Sequence, residues 1–210
     1  MIISAATVLI DQELQKEVWL EIEDGVIRSI NSGTTPEYDL RYEGILIPGF
    51  VDIHCHGGGG KYFASLTDSE ISQVIATHRA GGTVAGLASL VTEPIPNLIS
   101  QIKQLVPFAQ RGEIAGIHLE GPYLSHARCG AHDPNLLRTP TLAEVQTLLD
   151  AGQGFIKMIT IAPELDGALE VIEHLSKSGV IAAIGHSQSD AATALAAIDR
   201  GASVVTHFNN

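Results

Sequence analysis

From Ile45 onward, the sequence alternates between short apolar runs typical of strands and longer runs typical of helices. This alternation predicts βα units, in which a helix crosses over between two parallel strands. The predicted strands are Ile45 to Ile53, Thr83 to Leu87, Ile114 to Leu119, Phe155 to Ile161, Val180 to Ile184 and Val204 to Thr206. The predicted helices are Asp68 to Arg79, Pro96 to Ala109, Leu142 to Asp150, Leu165 to Ser178 and Asp190 to Arg200.

Six strands within residues 45–210 fit two α/β architectures. One is a complete, open, doubly wound sheet. The other is an eight-stranded barrel that lacks its last two βα units. Local patterns do not separate the two, so the polar residues at the strand ends have to be considered.

The first 44 residues lack the βα alternation and read as short strands, at Ile2 to Ile10, Glu17 to Ile22 and Val26 to Ile30. Asp24-Gly25 lies between the last two and is a strong hairpin signal. This portion is too small to fold well by itself. We therefore predict a small β portion at residues 1–44 and an α/β portion at residues 45–210.

Charge narrows the class of partner. The chain has 12 basic and 24 acidic residues and a formal net charge of −12, which opposes binding to nucleic acid or to an anionic membrane. A small-molecule partner is favoured. No apolar run is long enough to span a membrane, the N-terminus lacks a signal-peptide pattern, and two cysteines provide no disulfide framework, so we expect a cytoplasmic protein.

Metal-binding residue types follow four of the predicted strands. His54 and His56 end the first strand, and side chains two apart on a strand share a face. Glu120 ends the third strand, while His186 and His207 follow the fifth and sixth. In parallel α/β folds, these strand ends meet at the active site. Imidazoles with a carboxylate suit Zn²⁺ or a similar divalent ion, so the sequence predicts a metal centre there.

Other candidate residues carry less specific signals. Gly57 to Gly60 before Lys61 lack the spacing of a phosphate-binding loop. His132 lies in the long loop after Glu120, where substrate contact and a solvated loop are equal alternatives. Lys157, within the fourth strand, is a weaker candidate than Glu120 for a carboxylate that bridges two ions. No nucleophile with an adjacent base stands out, so metal-activated water is the expected nucleophile.

Five motifs together resemble the N-acetylglucosamine-6-phosphate deacetylase family of the amidohydrolase superfamily, and the resemblance covers all 210 residues. The motif that separates this family from other amidohydrolases is His-Leu-Glu-Gly-Pro, followed by Gly-Ala-His. The motifs are Pro48 to Gly57, Gly116 to Leu124 with Gly130-Ala131-His132, Ile161 to Glu164, Ile184 to Ser187 and Thr206 to Asn210.

The resemblance implies a (β/α)8 TIM-type barrel, here truncated after its sixth strand, with a small β-sandwich to which the N-terminal residues contribute. It implies a hydrolase that deacetylates N-acetylglucosamine 6-phosphate to glucosamine 6-phosphate and acetate, in amino-sugar metabolism. The full-length enzyme is expected to be a homo-oligomer, a dimer.

The resemblance also implies roles for individual residues. Glu120, His186 and His207 match the ligands of the principal metal, and His54 and His56 match those of a second ion, so one or two Zn²⁺ ions are expected. His132 and Asn210 match substrate-contacting positions, although Asn209 stands where an aromatic residue is common. The family's catalytic aspartate lies beyond Asn210, so the chain holds no catalytic residue of its own and is expected to be inactive alone.

Two rival functions remain open. One is another amidohydrolase that acts on a cyclic amide or a peptide through a carboxylated Lys157. The other is a non-catalytic role for a truncated barrel.

Overall fold

The structure is a computed structural model that describes residues 1–35, 37–65 and 67–209. Its contacts divide the chain into two compact units, Met1–Gly49 and Phe50–Asn210. From the sequence, the division is predicted to lie before Ile45. Within the described residues, no helix is both long and apolar enough to cross a membrane.

The first unit contains one four-stranded sheet. Its strands are β1 (Ile2–Ile10), β2 (Glu13–Glu23), β3 (Val26–Ser32) and β4 (Leu40–Leu46), in the order β3-β2-β1-β4. Asp24 and Gly25 both have positive φ and join β2 to β3 by a two-residue turn, which confirms the predicted hairpin. The second sheet of the expected sandwich stays a prediction.

The predicted strand from Ile45 to Ile53 is wrong in its first half. Ile45 and Leu46 belong to β4, where they pair in parallel with Thr7 and Val8 of β1. The first strand of the second unit starts only at Phe50, after Pro48-Gly49. Proline has no N–H to give to a ladder, so the apolar run is split into two strands at this point.

The second unit is a parallel sheet covered by helices. Its strands are β5 (Phe50–Cys55), β8 (Thr83–Leu90), β9 (Gly116–Glu120), β10 (Ile156–Ile161), β11 (Ile181–Ile184) and β12 (Ala202–Val205). A short hairpin of β6 (Gly57–Gly58) and β7 (Lys61–Tyr62) follows β5. The helices are α1 (Asp68–Ala80), α2 (Ile95–Gln110), α3 (Leu142–Gly152), α4 (Ala168–Lys177) and α5 (Ala191–Asp199).

The strand order separates the two architectures that the sequence left open. The order is β12-β11-β10-β9-β8-β5, so each strand of this sheet neighbours the strand of the same sheet that comes next along the chain. A doubly wound sheet reverses its order at a switch point, and this sheet does not, so the doubly wound alternative is wrong. A continuous order is that of a barrel wall.

The two faces of this sheet differ in character. Outward-facing residues such as Ile117 and Leu119 join the helices in the main hydrophobic core. Inward-facing residues of the same strand include His118 and Glu120, since side chains alternate along a strand. The alternation therefore directs polar side chains to the concave face.

Candidate metal centre

The side chains of four histidines from three strand ends surround the carboxylate of Glu120, which comes from a fourth strand end. We call these five residues the Glu120 cluster. His54 and His56 come from the end of β5, Glu120 ends β9, and His186 and His207 follow β11 and β12. Glu120 Oε2 lies 2.8 Å from His56 Nε2 and 3.3 Å from His54 Nε2. Glu120 Oε1 lies 2.9 Å from His207 Nε2 and 3.0 Å from His186 Nε2. The structure thus brings together all five predicted ligands.

The two oxygens of Glu120 face two separate groups of imidazoles. One set of donor atoms comes from His54, His56 and Glu120, and the other from Glu120, His186 and His207. Within each set the donor atoms lie within 4.8 Å of one another. Each set contains residue types that would hold a divalent cation, and Glu120 belongs to both sets.

Backbone carbonyls determine which ring nitrogen of two histidines is available. His56 Nδ1 donates to the Ser89 carbonyl at 3.2 Å, and His186 Nδ1 donates to the Arg128 carbonyl at 2.9 Å. A carbonyl can only accept, so the Nε2 atom of each neutral ring carries a lone pair. Both lone pairs then face a carboxylate oxygen that can also only accept.

This conflict is resolved by a cation or by a second proton on each ring. The hydrogen bond to Glu120 raises the pKa of His186 and so favours the extra proton there. The ring centroids of His54, His56, His186 and His207 are only 5.0–5.2 Å from their neighbours, however, and four imidazolium ions this close repel one another. The donor set therefore fits divalent cations better than protons.

The electrostatics of Glu120 also favour a cation partner. Its side chain is 4% exposed. Burial by itself raises the pKa of this carboxyl, but the surrounding histidines, which donate to it when their Nε2 atoms carry a proton, outweigh burial and hold the pKa far below its usual range. The carboxylate is therefore charged and buried, and a buried charge requires compensation.

Backbone conformation positions the two ligands that follow β11 and β12. His186 and His207 have φ angles of 50° and 56°, in the left-handed region that non-glycine residues seldom adopt. Gly185 precedes His186, and a Cβ atom there would lie 2.7 Å from Thr160 and from Thr206. The absence of a side chain at Gly185 allows the chain to approach its neighbours before turning His186 toward Glu120.

His132 has the opposite tautomer from His56 and His186. The Thr92 backbone N–H donates to His132 Nδ1 at 3.3 Å, so Nδ1 is the acceptor and Nε2 carries the proton. His132 Nε2 lies 3.6 Å from Glu120 Oε2, beside the cluster. His132 is therefore suited to donate a hydrogen bond into the cleft. Asn210, the other predicted substrate residue, falls outside the described residues.

A buried hydrogen-bond network that was not predicted from the sequence lies beneath the Glu120 cluster. His118 Nδ1 is 2.9 Å from Ser89 Oγ, and His118 Nε2 is 2.8 Å from Thr160 Oγ1. Thr160 Oγ1 is in turn 2.9 Å from Thr206 Oγ1. Burial lowers the pKa of His118 to about 3, so the ring is neutral. The period of two along β9 could have identified it, because His118 must share the face of Glu120.

Lys157 does not reach the cluster. Its Nζ atom donates to the Gly154 carbonyl at 2.8 Å, near the amino end of β10, whereas the cluster lies at the carboxyl ends. Residues near the amino ends of parallel strands and residues at their carboxyl ends lie at opposite ends of the barrel, so Lys157 is too far along the strand direction to contact the cluster. The interpretation of Lys157 as a carboxylated metal bridge is wrong.

A cleft of about 840 Å³ opens over the cluster. His54, His56, Glu120, His132, His186 and His207 all contribute to its walls, together with apolar residues such as Val91 and Met158. Pockets that bind small molecules have volumes of roughly this size. The cleft brings the His132 donor and the cluster into one space.

The chain is similar in sequence and in fold to several deacetylases. A solved structure of N-acetyl-D-glucosamine-6-phosphate deacetylase from Mycobacterium smegmatis, a mutant in complex with N-acetyl-D-glucosamine-6-phosphate, is 45% identical with a TM-score of 0.95. The match covers 100% of this chain and 56% of that one. A structure of N-acetylglucosamine-6-phosphate deacetylase from Thermotoga maritima is 26% identical, with a TM-score of 0.84 over 100% of this chain and 55% of that one.

A curated relative from a Shewanella species, N-acetylgalactosamine-6-phosphate deacetylase, is 35% identical over 100% of this chain and 55% of its own length. No protein-family model matches the chain. The chain spans about half the length of the curated relatives it matches. The resemblance inferred from the sequence is confirmed: the chain is similar throughout to the N-terminal portion of these deacetylases.

Proposed function

We propose that this chain, which is similar throughout to the N-terminal portion of the N-acetylglucosamine-6-phosphate deacetylases, forms the metal-holding part of such an enzyme. The reaction is hydrolysis of the acetamide of N-acetylglucosamine 6-phosphate to glucosamine 6-phosphate and acetate. The proposal is carried by one observation: the Nε2 atoms of His56 and His186 each face the buried carboxylate of Glu120 with a lone pair. A cation is the simplest partner for all three groups.

The Glu120 cluster holds the metal in this proposal. Glu120, His186 and His207 would hold the principal ion, and His54 and His56, together with Glu120, would hold a second one. Nitrogen ligands with a carboxylate favour Zn²⁺. When bound, the ion supplies Lewis acidity, which lowers the pKa of water and polarises the amide carbonyl.

The remaining residues bind and orient the substrate. His132 Nε2–H donates to a polar group of the sugar, because Thr92 fixes its tautomer. The amine leaving group must be protonated, which requires an acid. We place that acid on strands beyond β12, as the resemblance implies.

Two exposed strand edges support a larger barrel. Val51 on β5 is 68% exposed and Val205 on β12 is 45% exposed, and these strands form the two edges of the sheet. An exposed apolar edge is a template for further pairing. We propose that two more βα units join these edges into a (β/α)8 barrel in a longer, cytoplasmic, homodimeric enzyme, and that the chain alone turns over little substrate.

The epimer N-acetylgalactosamine 6-phosphate is a second candidate substrate. The Shewanella relative and another from Escherichia coli O157:H7, at 35% and 32% identity, are N-acetylgalactosamine-6-phosphate deacetylases. The two sugars differ only in the orientation of one hydroxyl group, which a single hydrogen bond can distinguish.

Acetate release from both sugar phosphates tests the proposal. We expect release by a version extended past Asn210, little by the present chain, and loss of metal and activity on Glu120→Gln in the extended version. Glu144→Gln, on α3, is the matched control that keeps both. Full activity of the short chain would disprove the incomplete barrel, and hydrolysis of only a cyclic amide or a peptide would favour a different amidohydrolase activity of the same Glu120 cluster.

A further inference from the structure

A third group of metal-ligating side chains lies at β5 outside the cleft of the Glu120 cluster, where the register with β8 shifts between Asp52 and Cys55 and the regular alternation of faces is interrupted. Asp52, Cys55 and His78 each offer one donor atom, and these atoms lie within 4.8 Å of one another. Cys55 packs against the helix-side hydrophobic core, and His78 comes from the last turn of α1. The group therefore lies between strand and helix, outside the cleft described above.

The donor atoms converge closely. Cys55 Sγ lies 3.0 Å from His78 Nε2, and the Gly57 carbonyl oxygen lies 3.0 Å from His78 Nε2 and 3.3 Å from Cys55 Sγ. Sulfur and nitrogen ligands of tetrahedral Zn²⁺ are about 3.5 Å apart, given bonds of about 2.3 and 2.0 Å. An ion would thus require Cys55 and His78 to separate by only about half an ångström.

The glycine pair of the β6 hairpin gives His78 its position. A Cβ atom on Gly58 would lie 2.8 Å from His78 Nε2, and one on Gly57 would clash with the Lys61 carbonyl oxygen. Only glycine therefore lets the hairpin pass this close to the imidazole. The glycine run after His56 makes room for His78 at this point of the chain.

Space for an ion adjoins the group. A cavity of about 30 Å³ is bordered by Asp52, Cys55 and His78, with mainly apolar residues such as Phe63 and Ile75 completing its wall. One water needs roughly 10–15 Å³ measured in this way. The cavity thus has room for an ion with a water ligand. Arg79 also borders it, but its guanidinium donates to the Glu113 carbonyl.

We propose that Asp52, Cys55 and His78 form a structural site for a divalent cation of zinc type, with the Gly57 carbonyl or a water as the fourth ligand. Binding forms a metal–sulfur bond and releases the Cys55 thiol proton to solvent. Without an ion, His78 Nε2–H donates to the Gly57 carbonyl, so His78 would bind the ion through Nε2 after the ring proton has moved to Nδ1. One thiolate and one carboxylate neutralise the dication, so the filled site is neutral in its half-buried setting.

With an ion bound, the metal–ligand bonds connect Asp52 and Cys55 on β5 to His78 on α1. Asp52 Oδ1 also accepts from the His54 backbone N–H at 3.1 Å, so the proposed site contacts the strand segment that presents His54 and His56 to the cleft. Closed sites with cysteine and histidine ligands commonly contribute folding energy directly. The role is to stabilise this strand end, and it does not depend on the proposed deacetylation.

Cobalt substitution tests the site, because Co²⁺ bound by a thiolate gives a near-ultraviolet charge-transfer absorption that imidazole and carboxylate ligands lack. We expect this absorption in the chain titrated with Co²⁺, and its displacement by Zn²⁺. Cys55→Ser should abolish it with loss of one cobalt equivalent. Asp52→Asn, which can keep the hydrogen bond to His54, should weaken binding.

Two controls separate this site from other thiols and from the Glu120 cluster. Cys129→Ser removes the only other thiol of the sequence and should keep the absorption. Glu120→Gln should keep it too, even if that variant loses every other metal. Circular dichroism verifies that each variant is folded, and His78→Asn provides a second variant if Cys55→Ser is not. Absence of the absorption in the unaltered chain, or its persistence in folded Cys55→Ser, would overturn the proposal.

Discussion

At the scale of single residues, the role of each histidine in the cleft depends on which ring nitrogen carries the proton. His56 and His186 donate through Nδ1 to backbone carbonyls and present Nε2 to Glu120. His132 accepts at Nδ1 and presents a proton instead. Residue types alone therefore cannot distinguish a ligand from a donor, since the distinction depends on a carbonyl or an N–H group contributed by another part of the chain.

His118 provides a prediction at this scale. His118→Leu removes the partner of two buried hydroxyl groups, on Ser89 and Thr160, and each loss costs about 1–3 kcal/mol where no replacement partner exists. We expect the free energy of unfolding to fall by about 1–3 kcal/mol in a urea titration, since both hydroxyls keep one other contact.

The matched control is His126→Leu, which changes an exposed histidine on the loop after β9. It should change the free energy of unfolding by no more than about 0.5 kcal/mol. Equal stability of the two variants would contradict a structural role for the network beneath the cluster.

At the scale of elements, turns and breaks control where the strands lie. Gly25 has a φ of 75° in the β2–β3 turn, whereas Gly44, in β4, has no positive φ and no atom within 4 Å of an added Cβ. Gly25→Ala places a side chain in the left-handed region, at a cost of about 1–2 kcal/mol.

We therefore expect Gly25→Ala to lower the free energy of unfolding by about 1 kcal/mol and Gly44→Ala to leave it within about 0.5 kcal/mol. Chemical denaturation followed by the fluorescence of Trp19 on β2 measures both. A larger loss in Gly44→Ala than in Gly25→Ala would show that the turn does not limit the stability of this sheet.

The sequence predicted the main elements and the Glu120 cluster because both depend on local patterns and a general topological rule. Alternation identified the βα units, and the rule that functional residues follow parallel strands brought His54, Glu120 and His207 together. The split of the apolar run at Pro48-Gly49 was missed, because Ile45 suits a strand of either unit. The Cys55–His78 contact was missed because residues 23 positions apart meet only through the path of the hairpin and α1.

At the scale of the whole molecule, the open edges of the six-stranded sheet are expected to control self-association. Phe50, Val51 and Ile53 on β5, and Val205 and Phe208 near β12, are exposed. Contiguous exposed apolar surface promotes association. We expect the isolated chain to enhance the fluorescence of a hydrophobic dye and to self-associate with rising concentration.

A version extended past Asn210 should bind less dye per molecule and show one defined mass by sedimentation. Val51→Lys in the short chain is a useful comparison, because a charge on an edge strand opposes edge-to-edge pairing. It should reduce self-association without reducing helix content. Equal dye binding by the short and extended versions would contradict closure of the sheet by later strands.

The continuous strand order has a consequence for synthesis on the ribosome. In the six-stranded sheet, consecutive strands along the chain are paired with one another, so the sheet can grow one βα unit at a time as the polypeptide emerges. His54, His56 and Glu120 are then assembled before His186 and His207 have been translated, by an interval on the order of 10 s at ordinary elongation rates. The order of translation thus supplies the two halves of the cluster in sequence, the half from β5 first.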